Sequence, residues 1–262
     1  AGAAAAATPV PRFSLGAGAP TVVIVGGGIA GLNCALELSD FGIRSTVYEA
    51  SGRIGGRMFS NNSYWDANQV TEWCGELIDT GHTTLRKLAK RFDLRLDNLL
   101  GAQPAQSDDV YYFSGRYYPK TQADRDFSVV ANIIAQDAEA AGFPTTFDSN
   151  NAAGRALDRM SVYDYIEHRI PGGHRSPLGA LLDVAYIIEY GADSTEQSAL
   201  NLIFLLGFQP NASSLAIFGE SDEKFHVRGG NQQLSEAIAR CHGADSVRLG
   251  HRLTRLVETT NG

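Results

Sequence analysis

The sequence predicts an α/β fold in which a nucleotide-binding βαβ domain carries a mainly helical insertion. Residues 21–25 are a short β-branched run between proline and glycine, which predicts a fully buried parallel strand. A mostly apolar helix follows and ends near Gly42, and residues 45–48 predict a second strand. From 124 to 207 the pattern turns helical. This order of elements is typical of a Rossmann-like domain with an inserted helical domain.

The turn between the first strand and the helix has glycines at the spacing G-x-G-x-x-G. Gly26 permits a tight turn, Gly28 lets a pyrophosphate approach the backbone, and Gly31 lets the helix pack closely on the strand. Ile29 and Ala30 lie between them, at the helix end whose free N–H groups and positive dipole face the phosphates. These residues predict a pyrophosphate site.

An acid and a second glycine pair follow the second strand. Glu49, with Ala50 beside it, can accept hydrogen bonds from both hydroxyls of an adenosine ribose and would repel a 2′-phosphate. Gly55 and Gly56 permit another close backbone approach, and Arg57 adds a cation that offsets the pyrophosphate charge. The sequence therefore predicts FAD rather than NADP, with plain glycine turns and a solvated arginine pair as the alternatives.

These motifs resemble those of the flavin monoamine oxidase family, which includes L-amino-acid oxidases, polyamine oxidases and monoamine oxidases. Residues 72–79 are similar to the stretch that passes the flavin ring in that family, and residues 227–231 to the segment that leads into a helix and then an FAD-contacting strand. The resemblance implies further cofactor contacts from Cys74, Gly75, Glu76, Leu77 and, through its backbone at the adenine, Leu253.

The chain departs from the family pattern at three positions. Ser51 stands where some relatives carry a further arginine, and Cys74 stands where a glycine is usual. Leu77 occupies the position at which L-amino-acid oxidases usually place the arginine that clamps the substrate carboxylate. This last departure favours a simple amine or polyamine as substrate, unless another residue holds a carboxylate.

The resemblance implies an FAD-dependent oxidoreductase that oxidises a primary or secondary amine, or an L-amino acid, to the imine. In that reaction flavin N5 takes the hydride and O2 is reduced to H2O2. No residue of this sequence is assigned as catalytic. Two alternatives stay open: a non-catalytic FAD-binding fragment or subunit that needs a partner chain, and a flavin desaturase or protoporphyrinogen-type oxidase.

Composition narrows the class of protein further. With 262 residues, 44% of them hydrophobic, the chain can bury a sizeable core. A net charge of −7 and the lack of a basic run with interleaved aromatic residues argue against a nucleic-acid partner. The three cysteines predict no disulfide framework, and the six histidines predict no metal site. Cys34 and Cys241 are expected to be buried thiols on helices.

The chain divides into four predicted parts: a flexible tail at 1–20, the first part of the FAD-binding domain at 21–105, a substrate domain at 106–222 and a return to the FAD-binding domain at 223–262. The tail, as a remnant of export processing, favours a secreted or periplasmic location, with a cytoplasmic one as the alternative. The sequence lacks a transmembrane segment, since no stretch of about 18 residues is apolar.

Further helices and strands are predicted along these parts. The strands are a hairpin at 110–118 and single strands at 225–227 and 252–258, and the helices are 83–92, 127–141, 162–170, 178–190, 195–206 and 232–241. Asn261-Gly262 is a hairpin turn signal, so the last strand should have a partner beyond the sequence. We expect a second polypeptide that carries the C-terminal half of the family fold.

Overall fold

The computed structural model describes residues 22–211, 213–243 and 246–258, and the chain divides into two compact units. The first unit contains the chain up to Ala102 and from Glu223 onward, and the second contains Gln103–Asp222. The predicted tail at 1–20 and the turn at Asn261-Gly262 lie outside the described residues.

The secondary structure is mixed. The strands are β1 (Val22–Val25), β2 (Ser45–Tyr48), β3 (Phe59–Asn61), β4 (Thr71–Cys74), β5 (Leu96–Asn98), β6 (Val110–Phe113), β7 (Arg116–Pro119), β8 (Phe225–Val227) and β9 (Val247–Arg248). The α-helices are α1 (Ile29–Asp40), α2 (Thr83–Arg91), α3 (Lys120–Ala141), α4 (Ala152–Arg159), α5 (Val162–Arg169), α6 (Pro177–Tyr190), α7 (Ala199–Leu206) and α8 (Gln232–His242).

A parallel sheet with the order β1-β2-β9 forms the centre of the first unit. Helix α1 connects β1 to β2, so the predicted βαβ unit is confirmed. Leu32 and Leu36 of α1 share a buried cluster with Leu234 and Ile238 of α8. The same unit contains two antiparallel pairs, β3 with β4 and β5 with β8.

The prediction that the first strand is fully buried is wrong. Ile24 is 9% exposed, but Val23 and Val25 are 54% and 58% exposed. Alternate residues of a strand point to opposite faces of a sheet. Helix α1 covers one face, while the face with Val23 and Val25 has no cover among the described residues.

The strand predicted at 252–258 does not form. The sheet pairing ends with the short strand β9, and residues 251–258 have no regular secondary structure. A strand needs a neighbour that satisfies its backbone groups, and the described residues provide none beside this segment. Leu253 and Leu256 are exposed there.

One expectation about the helices in the first unit is also wrong. Helix α2 begins at Thr83, as predicted, with His82 as its N-cap residue and no side-chain cap. Cys34 and Cys241 lie on α1 and α8 as predicted, but both are exposed because they face away from the cluster between those helices.

The second unit combines the predicted β6–β7 hairpin with a helical bundle. Helix α3 begins earlier than predicted, at Lys120, and the sequence did not predict α4, which Asn151 caps by accepting a hydrogen bond from Gly154 N–H at 2.8 Å. Helix α7 begins at Ala199 rather than 195, with Ser198 as its cap.

None of the helices in the described ranges combines the length and the apolar character that a membrane-spanning helix needs.

Candidate functional site

The turn between β1 and α1 has the geometry that close approach of a phosphate requires. Gly26 has a φ of 104°, and its N–H donates to Tyr48 O at 2.8 Å. A Cβ on Gly31 would lie 2.1 Å from Gly26 O, so only glycine fits this contact. Gly28 precedes Ile29 and Ala30 at the start of α1, and no side chain caps that helix. The first N–H groups of α1 are therefore open to an anion.

Glu49 lies at the carboxyl end of β2, where the sequence places it. Its Oε1 accepts a hydrogen bond from Ser51 N–H at 2.8 Å, and its Oε2 accepts one from Gly27 N–H at 2.7 Å. These two backbone donors hold the pKa of the Glu49 carboxyl below its ordinary value, so the group stays ionised. A carboxylate has about four acceptor positions, which leaves room for ribose hydroxyls.

Gly27 is a site residue that the motif analysis did not single out. A Cβ at this position would lie 3.1 Å from Glu49 Cβ and 3.3 Å from its Oε2. The middle glycine of this turn therefore lets the acid approach the backbone. The signal in the sequence was an additional glycine, Gly27, between the two motif glycines Gly26 and Gly28.

The second glycine pair lies directly against the first motif. Gly55 N–H donates to Gly27 O at 2.8 Å, and Gly55 forms a parallel bridge with Gly28. A Cβ on Gly56 would lie 3.3 Å from Gly28 Cα. The structure therefore brings the two glycine motifs together, as a shared pyrophosphate site requires.

The two arginines beside this pair differ in what they contact. Arg53 donates to Gly56 O at 2.8 Å and lies over the Phe59 ring at 4.0 Å, so it holds the turn. Arg57 is exposed and makes no hydrogen bond or ion pair within the described residues. Arg57 is thus the cation available to a ligand.

The segment with Cys74, Gly75, Glu76 and Leu77 approaches the second glycine motif. Cys74 pairs with Phe59 across β3 and β4. Gly75 has a φ of 64°, and a Cβ there would lie 2.5 Å from Arg57 O. This contact joins the two segments and requires a glycine.

Leu253 follows a segment that is hydrogen-bonded to the backbone at Glu49 and Ser51. Gly250 N–H donates to Ser51 O at 2.9 Å, and His251 N–H donates to Glu49 O at 2.8 Å. Leu253 follows two residues later, is 54% exposed and makes no hydrogen bond within the described residues. Ala50 lies between these two anchored positions.

A buried polar network beneath Gly75 is the part of the site that the sequence did not predict. The Glu72 carboxylate, whose side chain is 1% exposed, accepts hydrogen bonds from His226, Ser60 and Asn231. Among the described residues, no group of three His, Cys, Asp or Glu side chains is arranged to hold a metal ion.

These features define an α/β unit of the Rossmann type with two apposed glycine turns, an ionised acid at the end of β2 and an exposed arginine. The family model of flavin containing amine oxidoreductases matches residues 29–262. The chain belongs to this family, and its cofactor is FAD.

Known proteins and solved structures are similar to this chain over different shares of its length. An L-amino-acid oxidase of Mus musculus is 42% identical over 79 residues, which are 29% of this chain and 12% of that protein. A probable flavin-containing monoamine oxidase A of Dictyostelium discoideum is 22% identical over 92% of this chain and 52% of its own length. Cyclohexylamine oxidase from Brevibacterium oxydans is 25% identical with a TM-score of 0.69, covering 88% of this chain and 51% of that one.

A putrescine oxidase structure shares the fold, with a TM-score of 0.67 at 21% identity, and the match covers 88% of this chain and 50% of the other. The chain thus spans about half the length of the relatives that it matches along most of its length.

Proposed function

We propose that this protein is the FAD-binding part of an oxidoreductase that converts a primary or secondary amine, or an L-amino acid, to the imine. The observation that carries the proposal is that four separate segments, at 26–31, 49–51, 55–57 and 74–77, are linked by direct contacts. When bound, FAD supplies a two-electron acceptor for the hydride, which O2 reoxidises with formation of H2O2.

The residues of this chain have distinct tasks in that proposal. Glu49 accepts hydrogen bonds from the adenosine ribose because its carboxylate is ionised and partly free. Gly28 and the first turn of α1 present N–H groups to the pyrophosphate, and Arg57 offsets its charge. Leu253 contributes backbone beside the adenine, next to the segment attached to Glu49.

The identity of residue 77 favours an amine over an amino acid as substrate. Leu77 is half-buried and offers no charge to a carboxylate. An unpaired carboxylate that enters a desolvated pocket loses its hydration without compensation. We therefore infer that the substrate is an amine without a carboxylate.

A second polypeptide that carries the C-terminal half of the family fold is part of the proposal. Val23 and Val25 leave one face of the parallel sheet uncovered, and Leu256 is 89% exposed. Exposed apolar patches of this kind are typical of surfaces that another element covers. The relatives, which are about twice as long, support the same inference.

A panel of amines and amino acids, scored for peroxide with the purified protein alone and with a supplied C-terminal half, tests the proposal. Peroxide formed from amines is the expected result. Bound flavin without turnover under both conditions would instead support the second candidate, a non-catalytic FAD-binding subunit, which the half-length match to the relatives also fits.

A further inference from the structure

Asn231 is a fully buried side chain with every hydrogen-bonding group used. Its Nδ2 donates to Gly75 O and to Glu76 O, each at 2.7 Å, and its Oδ1 accepts a hydrogen bond from Val227 N–H at 2.9 Å. An asparagine amide has two N–H donors, so both are spent on two successive carbonyls. A backbone N–H on one side and two carbonyls on the other permit only one orientation of the amide.

The Glu72 carboxylate holds the backbone of Asn231 in place. Glu72 Oε1 accepts hydrogen bonds from Asn231 N–H and from His226 Nε2, both at 2.8 Å, and Oε2 accepts one from Ser60 Oγ at 2.7 Å. Ser60 Oγ in turn accepts a hydrogen bond from Gln232 N–H at 3.0 Å. A buried charge with these partners is costly to disturb, so Asn231 cannot turn without breaking the network.

The anchored carbonyls determine where the next two N–H groups point. In a trans peptide the C=O of one residue and the N–H of the next point in opposite directions. With Gly75 O and Glu76 O turned inward to Asn231, the N–H groups of Glu76 and Leu77 point outward. Neither N–H has an acceptor among the described residues, and Glu76 is exposed.

Two successive outward N–H groups form a site for an electron-rich oxygen. The site lies beside Arg57, because Gly75 approaches Arg57 O so closely that a Cβ would come within 2.5 Å. It therefore adjoins the second glycine motif, which the proposed function places at the FAD pyrophosphate.

We propose that Asn231 is a positioning residue that aims the Glu76 and Leu77 N–H groups at a carbonyl oxygen of the flavin ring, with Glu72 holding Asn231 in place. The inference rests on the proposed binding of FAD at this surface. Hydrogen bonds to a ring carbonyl stabilise negative charge on the reduced ring, so the network raises the reduction potential of the bound flavin.

Vibrational spectroscopy of the FAD-loaded protein tests the role of Asn231 directly. Asn231→Asp keeps the shape of the side chain but replaces both donors by an oxygen that faces two carbonyls. We expect a flavin carbonyl stretch to move to higher frequency and the reduction potential to fall. Glu72→Ala should give the same shifts. The variant Glu72→Gln should instead keep the wild-type spectrum. Its amide oxygen can still accept the hydrogen bond from Asn231 N–H, and its NH2 group can donate one to Ser60 Oγ.

Asn150→Asp provides a matched control. Asn150 Nδ2 also donates to two backbone carbonyls, Thr146 O at 2.9 Å and Phe147 O at 2.8 Å, but it lies in the second unit. This variant should leave the flavin spectrum and potential unchanged. A folded Asn231→Asp protein whose bound flavin keeps the wild-type stretch and potential would overturn the inference.

Amide hydrogen exchange of the unaltered protein gives an independent test that needs no variant to fold. The Glu76 and Leu77 amides should exchange quickly in the apo protein and at least tenfold more slowly with FAD. Fast exchange of both amides in protein that has bound FAD would contradict this inference alone. Failure to bind FAD at all would instead contradict the proposed function.

Discussion

Gly31→Ala should disrupt the first glycine turn, because the structure leaves no space for a methyl group there. The added Cβ would lie 2.1 Å from Gly26 O and 3.2 Å from Ile24 Cγ2. Real Cβ contacts are essentially never under 3.0 Å, so the helix start and the turn must separate by at least 0.9 Å, the difference between 3.0 and 2.1. Gly31 lies inside α1, so this shift moves the N–H groups that we propose bind the pyrophosphate.

Overpacking of this kind costs about 1–3 kcal/mol of folding stability. Displaced N–H groups lose hydrogen bonds to the pyrophosphate, and a loss of about 1.4 kcal/mol lowers FAD affinity tenfold. We therefore expect a lower urea midpoint for the apo protein and an FAD affinity reduced about tenfold or more.

Gly52→Ala is the matched control for this variant. An added Cβ at Gly52 would meet nothing within 4 Å, although the residue follows Ser51 near the same site. Its urea midpoint and FAD affinity should change by less than the equivalent of about 0.5 kcal/mol. If Gly31→Ala matches Gly52→Ala in both urea denaturation and FAD titration, the close contact between α1 and the turn does not hold the site.

Further predictions concern the charged side chains and the substrate. Glu49→Ala should weaken FAD binding by about 1–3 kcal/mol in a titration. Because the pKa of Glu49 is lowered in the folded protein, its stabilising contribution is present above its ordinary value of 4.5 and is lost as pH falls through the lowered pKa. Stability of the Glu49→Ala protein should therefore depend less on pH in that acidic range, and equal slopes for both proteins would contradict this. Arg57→Ala should weaken FAD binding without lowering the urea midpoint, whereas Arg53→Ala should lower the midpoint, because only Arg53 holds Gly56 O; equal midpoints would refute the distinction. With Leu77 in the site, amines should produce peroxide faster than the matching amino acids, and the reverse order would require another cation near the substrate.

The fold and the glycine motifs could be predicted because their signals are local. The strand, turn and helix from β1 to α1 lie within one short run, and the spacing of Gly26, Gly28 and Gly31 encodes the contacts that the structure contains. The acid Glu49 follows its strand directly. Each of these predictions depended only on residues that are close together in the sequence.

Errors arose where burial or pairing depends on distant parts of the chain. The segment 252–258 contains residue types that favour strands, but a strand forms only beside a neighbouring strand that pairs with its backbone groups. Either Thr195 or Ser198 could cap helix α7, since both residue types cap helices. In the structure Ser198 is the cap, and it also pairs with the distant Ser161 in an isolated bridge. Asn231 and Glu72 are 159 positions apart, so no local pattern predicted their hydrogen bond.

The absorbance spectrum of the purified protein, with identification of any cofactor released from it, tests the central claim most directly. The four segments that meet at the glycine turns predict flavin bands, FAD as the released molecule, and weaker bands in Gly31→Ala. A folded protein that is colourless and does not bind added FAD would contradict the account.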